Sequence, residues 1–249
     1  MSNPFYNDKT LEKVQNIDAM SMGNTMTVKG AITKSTILFI TLVATALAVW
    51  WKFAGDPGAI NSLNTWLWGS AIGGFAVVII AMFKKEWSPI LAPVYAVVEG
   101  VFVSVISMVY NYAFPGIIMQ AVSITFLILG IMLFSYRMGW LKATPMFKKV
   151  IIYATVAVGG FYLIMILGGL FGFTGLSSFY AGSSPLSIGI SAVIAGIAAF
   201  NLILDFDMIE KGAEHNLPEY MEWFSAMSLL ITIVWLYLEI LRLISKIRD

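Results

Sequence analysis

Cysteine is absent from this 249-residue chain, so disulfides and thiolate catalysis are both excluded. Histidine occurs once, as His215, and one imidazole without thiolates cannot make a transition-metal site of the usual kind. Charge is scarce. Asp, Glu, Lys and Arg make up 12% of the residues and the formal net charge is +1, which provides no basic face for nucleic acid. Residues 1–34 are polar and mixed in charge, without the apolar run and small-residue cleavage site of a secretory signal. An HExxH element and the Gly-x-Gly-Asp element of intramembrane aspartyl proteases are both missing, so the sequence reads as a non-enzyme with no cofactor.

What fills the chain instead is hydrocarbon: 59% of residues are hydrophobic and the mean hydropathy is +0.85, too apolar for a soluble domain. A polar arm, residues 1–34, carries a weak helix signal near 9–19. It precedes a membrane domain, 35–249, with long apolar runs at 35–51, 65–83, 89–112, 116–136, 150–170, 186–209 and 221–244. A helix needs about 20 such residues to cross a bilayer. The runs are continuous rather than alternating in and out, which excludes a membrane barrel. Trp50, Trp51, Trp66 and Trp68 stand at run ends, where a headgroup belt favours aromatics. The expected fold is an all-α integral membrane protein, a seven-helix bundle whose principal partner is the lipid bilayer. Small residues, among them Gly69, Gly73, Gly74, Gly159, Gly160, Gly189 and Gly196, are expected to let its helices approach closely.

Basic residues orient it. With the N-terminus cytoplasmic, the inner segments hold Lys9, Lys13, Lys29, Lys34, Lys84, Lys85, Arg137, Lys142, Lys148, Lys149 and Lys211. That leaves outside only Lys52 and the C-terminal Arg242, Lys246 and Arg248. A final run that crosses fully is expected. A re-entrant segment, with both termini cytoplasmic, is the alternative.

Ionisable residues within the apolar runs are the functional candidates, because a charge at the bilayer centre is costly and is kept only where it faces a bundle interior or water. Glu99 lies near the midplane of the third run, where a carboxyl is either neutral or paired. Asp205 and Asp207 end the sixth run. Two residues apart on a helix they point about 200° from one another, so only one faces the bundle. Asp205 is expected there, with Asn201 on the same face, and Asp207 is expected at the solvated helix end. The acidic loop 210–219 reads as hydrated. In the last run Glu222, Ser225, Ser228, Thr232, Glu239, Arg242 and Lys246 share one arc, whereas Leu230, Val234, Tyr237 and Leu241 lie elsewhere. Such a helix belongs at the centre of a bundle with its polar side toward a cavity. Glu239 and Arg242, spaced i and i+3, can also neutralise one another as a helix ion pair.

These residues carry a resemblance. LDFDMIEKGAEHNLPEYMEWFSAMSLLITIVWLYLEILRLI, with APVYAVVEGVFVSVIS and PGIIMQAVSITF upstream, resembles the Bax inhibitor-1 family of membrane proteins in its bacterial YccA-like branch. The resemblance implies a seven-helix bundle with the last helix central, a bacterial inner membrane, and a pH-sensitive passive leak of Ca2+. It also implies a proton-sensitive latch between an aspartate ending the sixth span and one in the seventh. Asp205 matches the first. The second position holds Thr232, so a proton shared by two aspartates is missing there, and Glu99, Asp207, Glu222 or Glu239 are the carboxylates left to substitute.

Two functions follow as expectations. One is a pH-sensitive cation leak, in which Asp205 contacts a passing Ca2+ and Glu99, Asp207, Glu222, Thr232 and Glu239 line the path or sense protons. The other is a regulatory protein that binds another membrane protein, in protease or stress control, and transports nothing.

Overall fold

The computed structural model describes residues 25–53 and 60–249. Most of the polar arm, including the helix expected near 9–19, lies outside the described residues. The described chain is helical: α1 Val28–Phe53, α2 Ile60–Phe83, α3 Ser88–Ala113, α4 Ile117–Arg137, α5 Pro145–Leu170, the short α6 Gly175–Ala181, α7 Pro185–Glu214 and α8 Tyr220–Arg248. All but α6 are long and apolar enough to cross a membrane. The protein is therefore an integral membrane protein of seven spans. In hydrocarbon a helix satisfies every backbone group within its own segment, and among the described residues the one β-type pairing is the isolated bridge between Thr25 and Pro218.

Local chemistry sets the helix ends. Thr144 caps α5 by accepting a hydrogen bond from Phe147 N at 3.2 Å, with Pro145 in the first turn. α1 begins at Val28 rather than at residue 35, because the Thr27 hydroxyl accepts from Gly30 N at 2.9 Å and starts the helix within the polar arm. α8 runs without reversal, which replaces the re-entrant alternative by a full-length span.

The described residues fall into two compact units, and α7 and α8 are divided between them: Asp205–Ile231 joins the chain up to Ala113, and Thr232–Asp249 joins Phe114–Leu204. In the first unit α3 packs against both α1 and α2. Gly100 is what permits the α1–α3 contact, since a Cβ there would stand 2.6 Å from the Leu42 carbonyl oxygen. A second core gathers Met26, Ala31, Ile209, Leu217, Met221 and Phe224. In the second unit Val158, Tyr180 and Ile194 form a core with Phe161, Tyr162 and Trp235 around it.

Close helix approach falls at some of the expected small residues and not at others: a Cβ on Gly74 would stand 3.3 Å from Glu99 Oε2 and one on Gly73 3.5 Å from Val98, both on α3. Among the described residues nothing lies within 4 Å of a Cβ built on Gly69, Gly159, Gly160, Gly189 or Gly196. The tight positions are Gly30, Gly100 and Gly212. Composition marks where a backbone can approach, and tertiary packing decides where it does.

Of the seven spans α8 is the most buried. Its polar arc is buried at Glu222, Ser225, Thr232, Glu239 and Lys246, and its apolar side at Leu230, Val234, Tyr237 and Leu241. The last helix is thus central in the sense that both of its sides are covered.

Candidate functional site

The candidate carboxylates are divided between the two units: Glu99, Asp205, Asp207 and Glu222 lie in the first and Glu239 in the second. In the first unit the C-terminal part of α7 presents Asp205, 6% exposed, and Asp207, 9% exposed. Ser228 Oγ of α8 donates to Asp205 Oδ1 at 2.7 Å. Asn201 is not its companion: that amide donates to Thr155 Oγ1 at 2.8 Å and to the Ile197 carbonyl at 2.9 Å. Asp207, expected at a solvated helix end, is buried instead, and its Oδ1 lies 3.0 Å from Lys211 Nζ one turn on. The cause is that α7 continues to Glu214, so Asp207 is an interior position of the helix.

Glu222, 3% exposed, opens α8 and is held by the start of α1. Thr27 N donates to its Oε1 at 2.7 Å and Thr27 Oγ1 at 3.0 Å, and Lys34 Nζ bonds its Oε2. The same ammonium reaches Glu219 Oε1 at 3.1 Å, so the acidic loop is not simply hydrated. It also lies 5.6 Å from the centre of the Trp223 ring. Behind these contacts Met26 N donates to the Leu217 carbonyl at 2.6 Å, and the Met26 side chain is packed so closely on Gly212 that a Cβ there would stand 2.6 Å from its sulfur. Residues 25–27 form a strap across the turn between α7 and α8. A buried carboxylate in this setting is stable because its charge is paired and its remaining lone pairs accept hydrogen bonds.

Glu99 lies on α3, half-buried and hydrogen-bonded to Tyr95 one turn before it. Its Oε2 would be 3.3 Å from a Cβ on Gly74, so the carboxyl is directed at α2.

The second unit holds Glu239, 1% exposed. Its Oε1 accepts from Tyr162 Oη at 2.5 Å and from Trp235 Nε1 at 3.2 Å, and Tyr180 Oη donates to Oε2 at 3.4 Å. Arg242 Nη1 sits 2.9 Å from Oε2 and also donates to Tyr162 Oη at 2.6 Å. Lys246, 4% exposed, donates to Ser191 Oγ at 2.7 Å and Ser187 Oγ at 2.8 Å. Two cations and one carboxylate therefore share a nest of tyrosine and serine hydroxyls.

Thr232 is buried on α8 one turn beyond Ser228, on the same face. Sequence reasoning missed Thr27, Tyr162, Tyr180, Ser187 and Ser191. An isolated Tyr or Ser in an apolar run is ordinary, and no spacing within one helix shows that Tyr162, Tyr180, Ser187 and Ser191 converge from α5, α6 and α7. Among the described residues no three His, Asp or Glu side chains gather as a metal site.

The model of a protein family described as "Bax inhibitor 1 like" matches residues 3–249. No curated protein and no solved structure matches the chain.

Proposed function

Because the chain belongs to the Bax inhibitor 1 like family, we propose that it is a passive cation leak with Ca2+ as its cargo, and that protonation of Asp205 changes its conductance. The observation that carries the proposal is the burial of Asp205 and Asp207 in α7, with the Ser228 hydroxyl of α8 donating to Asp205. A hard cation is passed between oxygen ligands, and Ca2+ takes six to eight or so of them. Carboxylate, serine and threonine oxygens with water supply them in passing, while the lack of a three-acid cluster among the described residues suits transit rather than tight binding. In the reading proposed here a single aspartate replaces the two-aspartate latch, so one proton suffices to neutralise the site. The Ser228 hydroxyl can donate to either form.

The protein is placed, in the same proposal, in a bacterial inner membrane with its N-terminus in the cytoplasm. The distribution of Lys and Arg among the connecting segments supports the orientation, and the bacterial membrane rests on the resemblance alone. Reconstitution in liposomes, with Ca2+ entry followed from about pH 6 to pH 8, tests the leak. Flux that varies with pH and loses that variation in Asp205→Asn supports it. Absence of flux at every pH overturns it.

A second reading, a regulator that binds another membrane protein, draws on Glu239. All of its hydrogen bonds close within the protein, and an acid so satisfied serves packing specificity without any water path. Protein that carries no Ca2+ yet retains a membrane-protein partner through detergent extraction would favour it.

A further inference from the structure

One exposed face of the second unit is built unlike the rest. Phe126, Leu127, Gly130, Ile131, Phe134 and Trp140 line an open apolar groove of about 450 Å³ along α4. The groove exists because the chain turns back at its lower end. Gly139 takes φ +73, in the left-handed region that favours glycine, and this lets Trp140 N and Leu141 N donate to the Ser135 carbonyl at 3.0 and 3.2 Å. Trp140 is thereby laid edge-on against Phe134, with ring centres 5.5 Å apart, and closes one end of the groove. Gly130 keeps its middle open: among the described residues nothing lies within 4 Å of a Cβ built there.

The charge at that end is of one sign. Arg137 stands seven residues after Gly130, so at 100° per residue it falls on the same side of α4, in the last turn. Lys142 folds back over the turn, its Cε 3.4 Å from where a Cβ on Gly139 would stand. The sequence has no Asp or Glu anywhere between Glu99 and Asp205.

We propose that this groove is a binding site for one anionic phospholipid, with an acyl chain along α4 and the phosphate held by Arg137 and Lys142 at the level of the Trp140 indole. The chemistry fits each part. An exposed apolar stripe within the bilayer takes a hydrocarbon chain. A Trp beside basic residues marks headgroup depth. An unbalanced pair of cations distinguishes an anionic headgroup from a zwitterionic one.

The test is native mass spectrometry of the full chain, released from detergent micelles doped with equal phosphatidylglycerol and phosphatidylcholine. Wild type should retain one phosphatidylglycerol in roughly tenfold preference to phosphatidylcholine. Arg137→Gln with Lys142→Gln should abolish the preference. Gly130→Leu, which projects a side chain into the groove from a position where a Cβ meets nothing within 4 Å among the described residues, should reduce retention of both lipids while the cations stay in place. Glycerol phosphate, which has a headgroup and no chain, should not displace the bound lipid. Equal retention of the two lipids by wild type, or a preference that survives the double substitution, overturns the proposal. Retention unaffected by Gly130→Leu overturns the groove as the seat of the chain. Thermal unfolding of each variant separates loss of lipid from loss of fold.

Discussion

Lys246 holds its ammonium 3.9 Å from the centre of the Tyr180 ring while its three N–H donors face Ser187 Oγ, Ser191 Oγ and the Ser187 carbonyl. A compact ammonium with three donors matches three acceptors, and its charge is stabilised by the aromatic face beneath it. Lys246→Met is expected to lower stability by about 2 kcal/mol, read as a fall in the midpoint of thermal unfolding in detergent. Lys246→Arg should not restore it, because a planar fork does not fit the same three acceptors.

The strap at the start of α1 gives a second prediction. Lys34→Met removes the cation from a carboxylate that stays buried, which leaves Glu222 charged with only the Thr27 donors. Breaking a buried pair from one side costs about 3 to 5 kcal/mol. Lys34→Met with Glu222→Leu should recover much of that loss, because both charges are then gone. A double-mutant cycle on chemical unfolding measures the coupling, and equal losses in the single and double variants would refute it.

Gly100 gives a third. An added methyl group would meet the Leu42 carbonyl at 2.6 Å and Thr45 Cβ at 2.9 Å, both on α1, and backbone cannot step aside as a flexible side chain can. Gly100→Ala is expected to destabilise the first unit by roughly 1 to 3 kcal/mol. Gly130→Ala, which meets nothing within 4 Å among the described residues, should be neutral or slightly stabilising in the same assay.

The fourth concerns protons. If Asp205 is the titrating group of the leak, its ionised form dominates at high pH and its neutral form at low pH. Asp205→Asn should then hold the flux at its low-pH level throughout, whatever the sign of the wild-type response. Glu99 is hydrogen-bonded to Tyr95 within α3, a different helix from those that carry Asp205 and Ser228, so Glu99→Gln should change the size of the flux without removing its dependence on pH. Ca2+ entry into liposomes across a pH series reads both.

The sequence was most legible where a single helix carries the message. Continuous apolar runs of bilayer length locate the seven spans, because the hydrocarbon leaves a segment no other way to satisfy its backbone. The family could be read from the stretch around Asp205 and the last span, and the match over residues 3–249 agrees. Partnerships between helices were not legible. Lys34 and Glu222 are 188 residues apart, and nothing in either neighbourhood specifies the other. Asp207 was misplaced because a run of apolar residues ends before its helix does: α7 continues through Glu210 and Lys211 on hydrogen bonds and ion pairing rather than on hydrophobicity. Glu239 and Arg242 could be paired from their spacing, but the tyrosines that complete their bonds come from α5 and α6.

The strap has a consequence for biogenesis. Lys34 enters the membrane with the first helix to be made, whereas Glu222 is synthesised 188 residues later, so at ordinary translation speeds the ammonium waits roughly 10 to 40 seconds for its counter-ion. Until then the ammonium, near the N-terminal end of its helix, is left to water and lipid headgroups, and the strap that fixes the start of the first helix closes only after most of the chain has been made.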